Sequence, residues 1–441
     1  MRAVGPRAVA PNHDRLRGFE DKRTSVRALE WTNFFLADVQ AGLGPFVAAY
    51  LAGLGWQAGA VGRALTFGGI VTVVLQTPAG WVVDRASRKR LILVAGTLVL
   101  ALGAVLLAID GSAVNVFAAQ GLIGFAGPFL GPTIAAITMG VVGVKLFDAQ
   151  FGRNQGFNSA GNLFAAAAIA GVARLAGNRA IFVCAAVLTL PTILAALSIK
   201  KNDIDLNLAR GGCDKGVQDG KGKPVLLTLG EDRVLLAFFA CAFLFHFANA
   251  AMLPQLGELL ARGSSREAAP FMSACVAITQ VVILGTAAFV GRFASLHGRK
   301  GLLLVGYGVL PVRAVLYTIF HAVPALLAVQ VLDGIANSIF GVVSILVVAD
   351  RTRGTGRFNL AQGALATAVG LGAALSNTFG GMLMEERGYR ISFLMLGAVA
   401  CVAFLLLLLA VPETAHDRNR QSKSHENDNA RSQTNPETIA P

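Results

Sequence analysis

Charge is the scarcest property of this 441-residue chain: 25 acidic and 38 basic side chains make up only 14% of it, against roughly 25% in ordinary soluble domains. With 54% hydrophobic residues and a mean hydropathy of +0.61, that scarcity excludes a water-soluble globule. Cysteine is thin as well. The five residues Cys184, Cys213, Cys241, Cys275 and Cys401 are odd in number and scattered, so they give neither a disulfide framework nor metal-ligand spacing. No two of the six histidines share a helix face at metal spacing, and no G-x-x-x-x-G-K-[ST] loop is present, which argues against an ATP-driven pump. No nucleophile stands with a base near one interface, so an enzyme is not expected, and neither is a cofactor. Fifty glycines and 27 phenylalanines exclude a coiled coil or a disordered chain.

What is abundant is apolar sequence. A hydrocarbon core of roughly 30 Å needs about 20 residues of helix. Twelve runs qualify: 29–51, 58–82, 91–109, 113–141, 154–175, 180–199, 233–253, 269–290, 301–320, 323–348, 359–383 and 391–411. The expected fold is therefore an all-α membrane protein of twelve transmembrane helices in two six-helix bundles. Its expected parts are an N-terminal tail (1–28), a first bundle (29–199), a linker (200–232), a second bundle (233–411) and a disordered tail (412–441).

An even number of spans puts both termini on one side. Placing them inside collects 30 of the 38 basic residues there and leaves seven outside, with Arg313 within a span. The positive-inside rule thus puts both termini in the cytoplasm, with the chain in the cytoplasmic (inner) membrane, and leaves no need for nucleic acid to explain the net charge of +13. Trp31, Trp56 and Trp81 fall at ends of the first two spans, where aromatic rings anchor to headgroups. No apolar core directly follows the early arginines, so a cleaved signal peptide is not expected.

The halves repeat. Gly80-Trp-Val-Val-Asp84-Arg85-Ala-Ser87-Arg88-Lys89-Arg90, after span 2, is answered after span 8 by Gly291-Arg-Phe-Ala-Ser295-Leu-His-Gly298-Arg299-Lys300. Gln120-Gly121 in span 4 is answered by Asp333-Gly334 in span 10. The segment from Asp148 through Arg153 to Asn158 is answered by the segment from Asp350 and Arg351 through Arg357 to Asn359. Such order implies two bundles related by an axis along the membrane normal.

In these residues the chain resembles the major facilitator superfamily of secondary transporters. The loop GWVVDRASRKR is similar to the family signature between spans 2 and 3, with Ser87 in place of the usual glycine that Gly298 keeps in the second half. Phe117 stands where many members carry a span-4 arginine. Gly127-Pro128-x-x-Gly131-Pro132 is similar to an antiporter signature, although it lies in span 4 rather than span 5. FHFANAAMLPQLG (245–257) and ADRTRGTGRFNLAQG (349–363) are similar to runs in bacterial permeases.

Physically, Gly80 lets two backbones approach, and Asp84 is placed to accept hydrogen bonds from a helix N-terminus or an opposing arginine in one state of the transporter. With Arg85, Arg88, Lys89, Arg90, Gly298, Arg299 and Lys300 it forms the expected cytoplasmic gate, although the basic cluster also suffices for topology alone. Asp148 with Arg153, and Asp350 with Arg351 or Arg357, are either further gate contacts or solvated loop charges.

Charges within spans are costly and each needs a reason. Asp38, His246 and Asp333 lie in spans that the resemblance implies line a central cavity, so they are candidates for proton or substrate binding. Alternatives are a structural hydrogen bond for Asp333 and simple packing for His246. Arg313 reads as structural, or as an ion pair with no identified partner. Gln40, Asn249 and Asn337 offer further polar contacts.

The resulting expectation is a secondary active transporter of a small solute working by alternating access, through proton-coupled efflux of a neutral or cationic organic compound. Proton-coupled uptake and a non-transporting receptor on the same fold are the alternatives. The expected partners are a small-molecule substrate, protons and the lipid bilayer, with the protein acting as a monomer.

Overall fold

A computed structural model describes residues 22–43, 47, 50–51, 54–56, 58–176, 178–212, 231–263 and 265–415. Twelve α-helices lie among them: α1 (Arg23–Leu43), α2 (Ala58–Arg85), α3 (Lys89–Ile109), α4 (Ala113–Ala176), α5 (Asn178–Ser198), α6 (Arg233–Asn249), α7 (Met252–Gly263), α8 (Ser265–His297), α9 (Lys300–Ile319), α10 (Val323–Arg351), α11 (Phe358–Arg387) and α12 (Tyr389–Ala410). Helix is what an apolar solvent demands, because each backbone N–H and C=O must be satisfied within its own segment.

These helices are not the twelve spans one for one. Spans 4 and 5 form the single 64-residue α4, broken only at Gly143, whose φ of 74° and ψ of 169° suit glycine. Asp148 and Arg153 are therefore on helix, not in a loop. Span 7 divides into α6 and α7 around Ala250 and Ala251. Among the described residues ten helical segments are long and apolar enough to cross a membrane, α4 counting as one although Gly143 divides it, and the more polar α1 is not among them.

α1 packs against α4 and α5, and α3 against the same two. In the second half α6 packs on α11 and α12, and α9 on α10 and α12. The halves meet along two symmetry-related seams, α2 against α11 and α8 against α4. One core lies in the first half around Leu93, Leu100 and Phe182, and a larger one around Phe238, Tyr307 and Leu346 of the second half takes in Ala135, Met139, Phe147 and Phe151 of α4.

The end at which α1 begins and α12 stops is the base of the molecule, and there the boundaries differ from those read off hydropathy. α1 starts at Arg23 rather than 29, anchored by Ser25 Oγ donating to Asp203 at 2.6 Å and Lys22 Nζ to the Val141 carbonyl at 2.9 Å. The first part of the linker is packed: Ala209 is buried, and Gly354 N donates to the Gly211 carbonyl at 2.8 Å. Residues 412–415, assigned above to a disordered tail, are docked, with Thr414 buried. The rest of that tail, the N-terminal tail through residue 21, and linker residues 213–230 lie outside the described residues.

Candidate functional site

Where the two seams reach the base, both repeated motifs bridge the halves. At the α2–α11 crossing a Cβ built on Gly80 would lie 2.7 Å from the Asn359 carbonyl carbon and 3.0 Å from Leu360 Cα. At the α8–α4 crossing one on Gly291 would lie 2.5 Å from the Asp148 carbonyl oxygen. Only glycine permits either approach, which explains why the repeat places it at both positions.

One turn beyond Gly80, the buried Asp84 accepts hydrogen bonds from Asn359 N (3.1 Å), Asn359 Nδ2 (2.7 Å) and Leu360 N (2.8 Å). Those backbone donors lie in the first turn of α11, whose own N-cap residue Arg357 supplies no side-chain cap. Asp84 thus caps a helix belonging to the other half, placing negative charge at the positive end of the helix dipole. Beside it Lys89 Nζ donates to the Val83 carbonyl at 2.5 Å, and the Arg85 guanidinium stacks 4.1 Å from the Trp81 ring centroid.

The second motif bridges the halves through charge. Arg299 is 1% exposed; its Nη2 meets Asp148 Oδ2 at 2.7 Å and its Nε meets Asp350 Oδ2 at 3.0 Å. Burial works against the guanidinium charge, but the two carboxylates hold it protonated above its ordinary range. This corrects the pairings expected from sequence. Asp148 and Asp350 both face Arg299, Arg153 pairs with the buried Glu30 at 2.8 Å, and Arg351 pairs with Asp232 at 2.9 Å. Arg357 takes part in none of these pairs. Gly298, with φ +97°, ends α8 in the left-handed region. Among the described residues no non-glycine has positive φ, so the first-half turn needs no glycine at Ser87.

Glu413 completes the base by accepting from Arg299 N (2.8 Å), Lys300 N (2.9 Å) and Ala415 N (2.9 Å). Burial alone would raise its carboxyl pKa, but these three backbone donors hold it below the usual glutamate range. A depressed folded pKa means that the contact contributes fully above the unfolded value of about 4.3 and is lost as pH falls through the folded one. Hydrogen exchange at the Arg299 and Lys300 amides is therefore expected to be slow at pH 7 and to rise, relative to other buried amides, only under acid. Glu413→Gln is expected to show the fast rate already at pH 7.

Inside this closed base, between the halves, lies a cavity of about 510 Å³. Its polar lining among the described residues comes from Asn33 on α1, Thr72 and Gln76 on α2, Gln155 and Asn158 on α4, Ser344 on α10 and Gln362 on α11, and none of the described lining side chains is charged. Gly127, Pro128, Gly131 and Pro132 form a smooth wall on α4. Gln76 Oε1 is buried without a hydrogen-bond partner, a cost that a ligand donor would remove.

The in-span candidates whose side chains are described fall elsewhere. Asp38 and Gln40 are on α1, and their side chains lie outside the described residues. His246 packs behind the cavity wall, its ring 4.8 Å edge-on to Phe340, with Nε2 buried and unpartnered. Asp333 faces Arg313, which the sequence left without a named partner. The guanidinium also bonds Asn249 Oδ1 and lies 3.2 Å from Met252 Sδ. Thr279, Gln330 and Asn337 donate to the Asp333 carboxylate at 2.9–3.1 Å. Asp333, Asn249 and Asn337 thus form one network within the second half, and none of them lines the cavity. The cavity amides were missed by sequence reading, which weighed charges within spans; a search for carboxamides in apolar runs would have found Asn33, Gln76, Gln155 and Gln362.

The arrangement encloses a polar-lined cavity between two halves joined at one end by hydrogen bonds and ion pairs. The comparisons agree with the fold. A model of the Major Facilitator Superfamily matches residues 31–310 and 238–439. An "Uncharacterized MFS-type transporter" of Mycobacterium tuberculosis is 42% identical over 391 residues, covering 88% of this chain and 93% of that protein. The human vesicular acetylcholine transporter is 32% identical over 119 residues, 27% of this chain and 22% of its own length. Among solved structures, the transporter FucP in the outward conformation aligns with a TM-score of 0.68 at 14% identity, covering 87% of this chain and 98% of that one. The proton:xylose symporter XylE aligns with a TM-score of 0.70 at 14% identity, covering 90% and 97%. Two helical halves meeting at repeated glycine and charge motifs, with family similarity over nearly the whole length, identify this chain as a member of the Major Facilitator Superfamily, a multi-pass membrane protein of the secondary transporter type.

Proposed function

We propose that the protein exports a small neutral or cationic polar organic compound from the cytoplasm in exchange for protons. In this reading it works as a monomer in the inner membrane, with the base and both termini on the cytoplasmic side. The observation that carries the substrate class is the cavity lining, whose described residues offer amides and hydroxyls and include no lysine or arginine to hold an anion. The carbonyl oxygens of Asn and Gln can face a cation there. Export is supported by the Gly127-Pro128-x-x-Gly131-Pro132 wall, which lines the site and is similar to an antiporter signature, with Pro132 in place of its last glycine and in span 4 rather than span 5. The coupling proton is assigned to Asp333, an in-span carboxylate held by a single arginine. Sealing of the base by Asp84 and Arg299 belongs to the state open to the other side, and exchange of these contacts drives alternation.

The test is proton movement in proteoliposomes challenged with a panel of neutral and cationic polar solutes. A transported solute is expected to provoke a proton flux. Gln76→Leu should raise the solute concentration needed by about tenfold, the equivalent of one lost hydrogen bond of about 1.4 kcal/mol. Folded protein that binds a solute without moving either it or protons would support the receptor reading, and a flux in which solute and proton move together would support uptake.

A further inference from the structure

We propose that the seam between α3 and α5 is a binding site for an anionic phospholipid, its phosphate held in a basic pocket at the base and its acyl chain lying in an apolar groove above. The pocket is about 270 Å³ and is lined by Ser87, Arg88, Lys89, Arg90 and Lys201, with Leu91 and Leu206 at its edge. Four cationic side chains line it and no carboxylate is among its described lining residues.

Topology alone does not require this shape. The positive-inside bias is met by any basic loop, flexible and solvated. Here the charges are held. Lys89 is 1% exposed and fixed by the Val83 carbonyl. Arg90 reaches across the seam to the carbonyls of Leu197 and Ile199 at the end of α5, and Lys201 follows on the next turn. Arg88 and Lys201 are exposed beside them. A concave site with fixed cations attracts an anion strongly, and phosphate oxygens match its donors.

The occupant is identified by what adjoins the pocket. Leu91, 50% exposed, sits in the first turn of α3 at the rim. From Leu98 the same seam opens into a groove of about 480 Å³ with an almost wholly apolar lining that includes Ala101 and Val105 of α3 and Val187, Leu190 and Ile193 of α5. Seven residues of helix separate Leu91 from Leu98, about 10 Å at 1.5 Å per residue, which is the drop from a headgroup to the upper acyl chain. A soluble phosphate compound would use the pocket and leave the groove empty; a phospholipid uses both. Charge complementarity at one end and apolar continuity along the other commit the site to an anionic lipid.

The experiment is native mass spectrometry of the full-length protein in detergent, titrated with dioleoylphosphatidylglycerol or dioleoylphosphatidylcholine. The expected result is one anionic lipid retained with at least about tenfold preference over the zwitterionic one. The preference should be lost in Arg88→Gln/Lys201→Gln, whose exposed positions leave folding intact, as checked by thermal melting. Ala101→Trp, which fills the groove, should weaken retention of the anionic lipid by about tenfold. Three results would overturn the proposal: equal retention of both lipids, a preference unchanged in Arg88→Gln/Lys201→Gln, or competition by glycerol 3-phosphate together with indifference to Ala101→Trp, which would indicate a site for soluble phosphate compounds.

Discussion

Asp333→Leu is expected to lower the apparent melting temperature of the purified protein by on the order of 10 °C, the counterpart of about 3–5 kcal/mol for stranding one partner of a buried ion pair. The loss comes less from the missing attraction than from what remains. Arg313 is 2% exposed, its Nε has no partner even in the intact network, and Asn249 Oδ1 with Met252 Sδ cannot neutralise a guanidinium. Removing both charges as Arg313→Met/Asp333→Leu should restore most of the stability, since an apolar pair of similar volume needs no desolvation of ions. The same double variant separates structure from coupling. If Asp333 carries the proton, a well-folded double variant still binds solute but no longer links it to proton movement. Unchanged proton flux in that variant would place the proton elsewhere, and a single variant as stable as the parent would contradict the network itself.

Asp84→Ala is expected to shift the equilibrium away from the closed base by about 100-fold. Three hydrogen bonds to a carboxylate vanish, and at about 1 kcal/mol net for each, the typical value once freed donors are rehydrated, the loss is about 3 kcal/mol. Spin labels at the base ends of α2 and α11 would read the shift as a longer distance. Gly80→Val should act in the same direction for a different reason, because its side chain would have to occupy the space of the Asn359 and Leu360 backbone, which cannot yield as a flexible side chain would. Agreement between a charge variant and a steric variant ties the effect to helix approach rather than to electrostatics at a distance. Label distances unchanged in both would remove Asp84 and Gly80 from the gate. Arg90, which bonds the end of α5 within the same half, provides the contrast: it does not bridge the halves and is not expected to move this equilibrium.

Much of this molecule was legible in its residues, for identifiable reasons. Hydropathy is a local property, so the apolar runs located nearly every helix without reference to packing. The repeat of Gly80 and Arg88 by Gly291 and Arg299 was visible because the two halves solve the same crossing problem with the same small residue. Boundaries at the base were less legible. α1 begins at Arg23, Gly143 breaks α4 without a loop, and Glu413 docks beyond the last apolar residue, because capping and anchoring use polar residues that hydropathy assigns to water.

By itself, then, the sequence determined a charge-poor, twice-repeated helical chain, with glycines and charges marking the turns that meet between the halves. Only the tertiary structure decided the partners. Asp148 and Asp350 converge on Arg299, Asp333 finds Arg313, and amides from four separate helical legs gather around one cavity while the in-span charges of the second half turn away from it. The physical reason is range. Helix periodicity and burial are set within a few turns, whereas which polar groups face each other depends on the crossing of helices far apart in sequence, a geometry that close backbone packing at single glycines controls.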